Sequence, residues 1–283
     1  MAIKVIILDV DGTLYSSEKK ILPKTKQALL KAQTLGIKVI VASGRPTSGL
    51  AKIKEELQLH KHHGLLVSYN GSKITDCESN EELFNQPLSV EEGQAVLRHM
   101  KKFDVIPMVD KGRYMNVENV YNNLITVDGV QKNIVEIEAR AGEFLLCEQP
   151  DLETFLDYEV NKILTAATPA YLDSILAELE APFKDRLNCV KTADFYFEFT
   201  AKGIDKANAL NTVLAPMGYT PDQMIAFGDG MNDHSMLDYV GTGVAMGNAV
   251  EPVKAIAQHV TDSNNDEGIA NALYHFIPEL KEA

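Results

Sequence analysis

At 283 residues the chain has room for two domains of ordinary size, roughly 150 residues each. Apolar residues make up 45% and charged residues 24%, a globular composition that excludes disordered, collagen-like and low-complexity chains. Lys+Arg 27 against Asp+Glu 40 gives a net charge of −13, which repels nucleic acid and anionic membrane surfaces, and no Lys/Arg run interleaved with aromatics offsets it.

Ile3 to Leu8 is a short apolar run that stops at Asp9, the pattern of a strand buried on both faces. Pro23 opens a helix in which Ala28, Leu29, Ala32 and Leu35 recur at helical spacing, and Gly36 ends it. Ile37–Val41 reads as a second strand, Pro46 as another helix start, and Leu65–Val67 as a third strand. From about Phe84 to Lys191 the rhythm changes to helices mixed with hairpin-like strands. A helix is expected over Ser89–Phe103 and another from Pro169 to Leu179, with strands at Val105–Val109, Tyr114–Val117, Ile163–Ala166, Cys189–Lys191 and Phe195–Phe199. Strand–helix alternation then resumes: Asp205 caps a helix to about Ala215, and Met224–Phe227 and Val244–Met246 are strands. Asn232–Tyr239, Val250–Gln258 and a stretch from about Glu267 are helical. The fold class is α/β, a parallel-sheet core in two segments, 1–83 and 193–283, with an α+β insert at 84–192.

Cys77, Cys147 and Cys189 lie far apart, form no C-x-x-C pair and suit a reducing cytosol. The apolar N-terminus is too short for a signal peptide, and no apolar run approaches ~18 residues, so a cytoplasmic protein without a membrane partner is expected.

The chemistry-bearing residues gather at the ends of the expected core strands. Asp9-Val10-Asp11-Gly12-Thr13 places two carboxylates at i and i+2, able to converge on one cation, with Gly12 free to turn sharply. It is not an EF-hand: the sixth position is Leu14 and the twelfth Lys20. Ser43-Gly44-Arg45-Pro46 sets a hydroxyl, a small residue and free N–H groups before a helix start, the makings of a phosphate cradle. Lys206 sits in the first turn of a helix, where a cation is misplaced unless a negative group faces it. Gly228-Asp229-Gly230-Met231-Asn232-Asp233 crowds acidic and amide side chains around two glycines, which calls for a cation or hydrogen bonds in compensation. His60-Lys61-His62-His63 lacks acidic partners and reads as a solvated loop, and the glycines from Gly241 to Gly247 lack the context of a dinucleotide loop.

In this order, three of them at carboxyl ends of parallel strands, these motifs resemble those of the haloacid dehalogenase superfamily of phosphohydrolases, in its Cof-type branch with a type IIB cap. Gly243–Ala249 and Asp266-Glu267-Gly268 are similar to that branch as well. The resemblance implies a Rossmann-like core, a cap serving as substrate-selecting lid, and Mg²⁺-dependent hydrolysis of small phosphomonoesters such as sugar phosphates, nucleotides or pyridoxal phosphate. It implies Asp9 as nucleophile forming an aspartyl-phosphate, and Asp11 as acid and base. Mg²⁺ would be held by Asp9, the Asp11 carbonyl and Asp229. Val10, Ser43, the Gly44 N–H, Lys206 and Asn232 would bind the phosphoryl group, and Asp233 would orient Lys206 or a metal-bound water. Arg45 and Arg113 are the candidate substrate contacts, Arg45 facing the cap and Arg113 at a hairpin tip. Two other readings stand beside this one. A phosphomutase would want an arginine-rich cap, and the insert has only Arg98, Arg113, Arg140 and Arg186, well scattered. A non-catalytic phosphate-binding module would be expected to lack Asp9 or Asp11. The sequence does not specify an oligomeric state.

Overall fold

The computed structural model describes residues 2–121 and 123–281. The chain divides into two compact units, one of residues 1–85 with 205–283 and one of residues 86–204. Before the insert come β1 (Val5–Leu8), α1 (Pro23–Thr34), β2 (Lys38–Ala42), α2 (Ala51–Glu56), β3 (Leu65–Ser68), β4 (Lys73–Asp76) and β5 (Glu82–Asn85). The insert holds α3 (Val90–Met100), β6 (Ile106–Lys111), β7 (Tyr114–Val117), β8 (Leu124–Val127), β9 (Val130–Asn133), α4 (Ile134–Ala141), β10 (Leu145–Glu148), α5 (Leu152–Phe155), β11 (Ile163–Ala166), α6 (Pro169–Glu180), β12 (Leu187–Ala193) and β13 (Tyr196–Ala201). The chain returns with α7 (Lys206–Leu214), β14 (Met224–Gly228), α8 (His234–Tyr239), β15 (Thr242–Ala245), α9 (Glu251–Ile256), β16 (His259–Val260) and α10 (Gly268–Phe276).

In the first unit eight strands form one sheet in the order β16-β15-β14-β1-β2-β3-β4-β5. The six strands from β16 to β3 run parallel, and β4 and β5 add an antiparallel edge. Strand alternation divides the apolar residues of β1 between two cores. Ile6 and Leu8 pack with Ala28, Leu29 and Ala32 of α1, Ile53 of α2 and Ile269 and Leu273 of α10. Val5 and Ile7 pack with Leu210 and Leu214 of α7, Met236 and Leu237 of α8 and Val253 of α9. All four β1 side chains are fully buried, each contributing about 1.5–3 kcal/mol of transfer free energy. Helices on both faces explain why β1 reads as an unbroken apolar run. Pro46 precedes a 3-10 turn, Thr47–Leu50, rather than opening an α-helix directly.

The second unit is built on a six-stranded sheet, β10-β7-β6-β11-β13-β12, beside a separate β8-β9 hairpin. One face buries Phe197 and Phe199 against Val96, Leu97 and Met100 of α3 and Leu172, Ile175 and Leu179 of α6. The other packs Met108, Met115 and Leu164 against Ile125 and Val127 of the hairpin and Ile134 and Val135 of α4. The sequence placed the end of the insert at 192. That boundary falls inside the continuous β12–β13 pair, in which Cys189 opposes Phe199, and the unit instead runs to Ile204. At the other junction the division lies between Asn85 and Gln86, because β5 pairs with β4. No helix among the described residues is long and apolar enough to cross a membrane.

Candidate active site

Parallel register brings the chemistry to one edge of the first unit's sheet. Leu8 aligns with Phe227 and with Val41, so Asp9, Gly228 and Ala42 follow at the same level of the sheet. The backbone confirms the continuation: Asp9 N–H donates to Phe227 O at 3.0 Å, and Ser43 N–H donates to Val67 O at 2.8 Å. Asp205 N-caps α7 through Asn208 N–H at 2.9 Å, which sets Lys206 in the first turn.

Lys206 is the hub of the site. Its side chain is fully buried, and Nζ donates to Asp9 Oδ1 at 2.7 Å and to Asp233 Oδ1 at 2.6 Å. Burial alone would lower its pKa, but the two carboxylates outweigh burial and raise it, so Lys206 is a fixed cation. The other oxygen of Asp233 accepts the N–H groups of Asp229 and Gly230, both at 3.0 Å. Asp233 therefore serves its own loop and Lys206 at once. Burial, then the charge of Asp233, push Asp9 up to about 8, with Lys206 opposing. Burial raises Asp229 to about 6, against a hydrogen bond from Thr13 Oγ1 at 2.8 Å. Gly12 has φ +83°, and a Cβ there would lie 2.2 Å from Asp229 Oδ2, so the close approach of these two loops requires glycine.

A cation fits this arrangement. Oxygens of Asp9, Asp229 and Asp233 come within 4.8 Å of one another. One lysine facing three carboxylates leaves two negative charges over, a deficit that a bound cation would offset. All-oxygen donors suit a hard divalent ion. Because Asp233 is spent on Lys206 and two backbone donors, Asp9 and Asp229 are the carboxylates with capacity to hold it.

Asp11 diverges from this cluster. Its carboxylate takes a two-point hydrogen bond from Arg45, Nε at 2.7 Å and Nη2 at 2.8 Å, and a third bond from Lys19 Nζ at 2.8 Å. Burial would raise Asp11, but Arg45 and then Lys19 override it and hold the carboxyl at about 2. Arg45 also lies over the Tyr15 ring, 5.4 Å from its centroid. Its guanidinium is thus committed to Asp11, whose carboxylate matches its planar fork.

Ser43 is buried, its Oγ accepting from Arg45 N–H at 3.2 Å. Val10 is buried too, and its carbonyl accepts from Thr13 and Tyr15 N–H. Asn232 Nδ2 donates to Asn70 Oδ1 at 3.1 Å, and Asn70 also abuts Gly44, where a Cβ would stand 3.0 Å from its carboxamide.

The chain as a whole has relatives among known proteins. A family profile described as haloacid dehalogenase-like hydrolase matches residues 6–273. The chain belongs to the haloacid dehalogenase-like hydrolases. Within that family it is 29% identical over 276 residues to the 5-amino-6-(5-phospho-D-ribitylamino)uracil phosphatase of Bacillus subtilis, covering 97% of this chain and 96% of the relative. It is 25% identical over 277 residues to a pyridoxal phosphate phosphatase of Escherichia coli, covering 98% and 100%. A haloacid dehalogenase-like hydrolase from Bacteroides thetaiotaomicron superposes with a TM-score of 0.89 at 32% identity, covering 97% of this chain and 100% of that one. This member of the family is a phosphatase.

Ten of the residues singled out in the sequence, Asp9, Val10, Asp11, Ser43, Gly44, Arg45, Lys206, Asp229, Asn232 and Asp233, belong to the first unit. Arg113 belongs to the second, exposed in the turn between β6 and β7. Sequence reasoning passed over Lys19 and Asn70. Lys19 has no signal beyond its charge; Asn70-Gly71 carries only the mark of an ordinary turn.

Proposed function

We propose that the protein hydrolyses small phosphomonoesters through an aspartyl-phosphate on Asp9, with Mg²⁺ as the metal. The observation that carries this reading is the buried Asp9–Lys206–Asp233 chain beside Asp229, at 2.7 and 2.6 Å, on the carboxyl edge of a parallel sheet. Asp9 Oδ attacks phosphorus; a P–O bond to Asp9 forms as the bond to the ester oxygen breaks. Asp11, protonated from solvent once its Arg45 pair loosens, gives that proton to the departing oxygen, then takes one from a water that attacks phosphorus, releasing inorganic phosphate and restoring Asp9. Held at about 2 by Arg45 and Lys19, Asp11 stands in the carboxylate form that the second step uses, and proton donation in the first step requires the Arg45 pair to loosen. Lys206, Ser43, the Gly44 N–H, the Val10 loop and Asn232 bind the phosphoryl oxygens, and Asp233 keeps Lys206 aimed. Asp9, Asp229 and the Asp11 carbonyl would hold the metal, which would supply positive charge where carboxylate and phosphate must meet.

Residues 86–204 are assigned the choice of leaving group, acting as a lid, with Arg113 as one contact. Substrates named for two relatives, a phosphoribitylamino-uracil and pyridoxal phosphate, support small soluble esters. The acidic charge and the absence of a membrane-length helix among the described residues are in keeping with a cytoplasmic enzyme. Phosphate release from p-nitrophenyl phosphate and a panel of metabolite phosphates, with EDTA and then with added Mg²⁺, tests the reading. Activity lost in EDTA and restored by Mg²⁺ is expected; full activity in EDTA contradicts it.

A further inference from the structure

Three residues after β3 stand in the left-handed region: Tyr69 (φ 52°), Asn70 (φ 56°) and Gly71 (φ 101°). Two of the three are not glycine, a conformation that costs side-chain-bearing residues energy and persists only where neighbours impose it. The neighbours are identifiable. Tyr69 N–H donates to Arg45 O and Asn70 N–H donates to Ser43 O, both at 2.9 Å. Gly71 packs on the start of α7, where a Cβ would lie 2.4 Å from Asp205 O and 3.0 Å from Lys206 N. Asn70 Oδ1 accepts from Asn232 Nδ2 at 3.1 Å. One turn therefore touches the loops that carry Ser43–Arg45, Lys206 and Asn232. The Asn70 carboxamide lies against Gly44, and no hydrogen bond among the described residues engages its Nδ2.

We propose that Asn70 is a positioning residue of the phosphoryl-binding cradle. Its Oδ1 fixes the Asn232 carboxamide, leaving the second Asn232 N–H for a phosphoryl oxygen, and its own Nδ2 adds a donor beside Gly44. The strained backbone is what delivers this side chain between Gly44 and Asn232: an extended residue after β3 would carry it elsewhere. Donors fixed before substrate arrives need no reorganisation when charge develops on the phosphoryl group. The inference rests on the reading of Ser43, Gly44, Lys206 and Asn232 as phosphate ligands.

Asn70→Gly and Asn70→Asp separate this role from a structural one. Glycine adopts the left-handed conformation without strain, so Asn70→Gly keeps the turn and loses only the carboxamide. Aspartate keeps an acceptor for Asn232 but replaces the donor with an anion. The readouts are kcat and KM on p-nitrophenyl phosphate, competitive inhibition by inorganic phosphate, the Mg²⁺ activation constant and Tm. Asn70→Gly should keep its Tm and Mg²⁺ activation, lose about tenfold in kcat/KM and bind inorganic phosphate several-fold more weakly, and Asn70→Asp should be weaker still. Asn70→Gly with wild-type kcat/KM and phosphate inhibition overturns the proposal, as does Asn70→Asp with wild-type phosphate affinity. A change in Tm alone assigns the residue to the fold and overturns it equally. Calorimetric titration of the wild type with inorganic phosphate distinguishes the two levels of failure. A wild type that neither binds phosphate nor releases it refutes the phosphatase reading; one that does both, alongside an unimpaired Asn70→Gly, refutes only the role of Asn70.

Discussion

Replacing Lys206 with methionine keeps the length and most of the volume of the side chain while removing its charge. The structure sets the consequence. Nζ is the shared donor of Asp9 and Asp233, whose side chains are 6% and 1% exposed, so Lys206→Met leaves two buried carboxylates facing each other. Removing one partner of a buried pair costs about 3–5 kcal/mol. At about 2–4 °C per kcal/mol for domains of this size, Tm should fall by about 6–20 °C. The pH dependence has a definite sign. Burial and the charges of Asp233 and Asp229 already raise Asp9 to about 8 with the lysine present, and its loss raises the carboxylates further. The folded state then holds protons that the unfolded state has released above about pH 4, so the variant loses stability as pH rises towards 8. The wild type shares the Asp9 part of this loss up to about pH 8. Its Asp229, however, is raised only to about 6, and its lysine stays charged throughout, the folded pKa of Lys206 lying above its ordinary value. The gap therefore opens above about pH 6. Thermal unfolding in EDTA, followed by circular dichroism at pH 5.5 and pH 8, should show the gap between the proteins widening with pH. Adding Asp9→Asn to Lys206→Met should recover part of the loss at pH 8. A Tm change below about 2 °C, or a larger loss at pH 5.5 than at pH 8, would refute the coupling as described.

Saturating Mg²⁺ should stabilise the wild type by about 2.7 kcal/mol at a hundred times Kd, and Asp229→Asn should abolish most of that gain; an equal gain in both proteins would remove Asp229 from the metal site. Arg45→Ala should raise the Asp11 pKa from about 2, since Arg45 is the largest influence holding it down; carbon-13 NMR titration of the carboxyl reads it directly, and an unmoved pKa would show the two-point contact to be without consequence. Gly12→Ala introduces a Cβ 2.2 Å from Asp229 Oδ2 at a φ of +83°; it should cost about 1–3 kcal/mol and weaken Mg²⁺ activation, and a variant with wild-type Tm and Mg²⁺ dependence would contradict the close packing of these loops.

The central sheet was legible because its strands are buried on both faces: Val5–Leu8 and Leu65–Val67 are unbroken apolar runs bounded by turn residues. The site was legible for a related reason. Ligands of open parallel sheets collect at carboxyl ends, and there Asp11, Ser43 and Asp229 adjoin glycines and Asp9 lies two residues from Asp11, so local spacing marked the candidate residues. What escaped is what depends on neighbours distant in sequence. β4, β5, β8 and β9 are four residues each and partly exposed, with too little periodicity to register. β12 and β13 form one hairpin, which the expected boundary at 192 divided, because their pairing is not marked in the local sequence. The contact of Arg45 with Asp11, 34 residues away, is decided by the alignment of β1 with β2. Asn70 gains its place only when β3 sets the Asn70-Gly71 turn against the loop after β2, which its two backbone hydrogen bonds record.

The claim on which the rest depends is that Asp9 becomes phosphorylated during turnover. Rapid acid quench of the wild type with a phosphomonoester and Mg²⁺, followed by proteolysis and mass spectrometry, tests it directly. A base-labile phosphoryl group on the peptide containing Asp9, formed within one turnover and absent from Asp9→Asn, is the expected result. Turnover at the wild-type rate by Asp9→Asn, or a phosphoryl group found on a different residue in the wild type, would contradict the account.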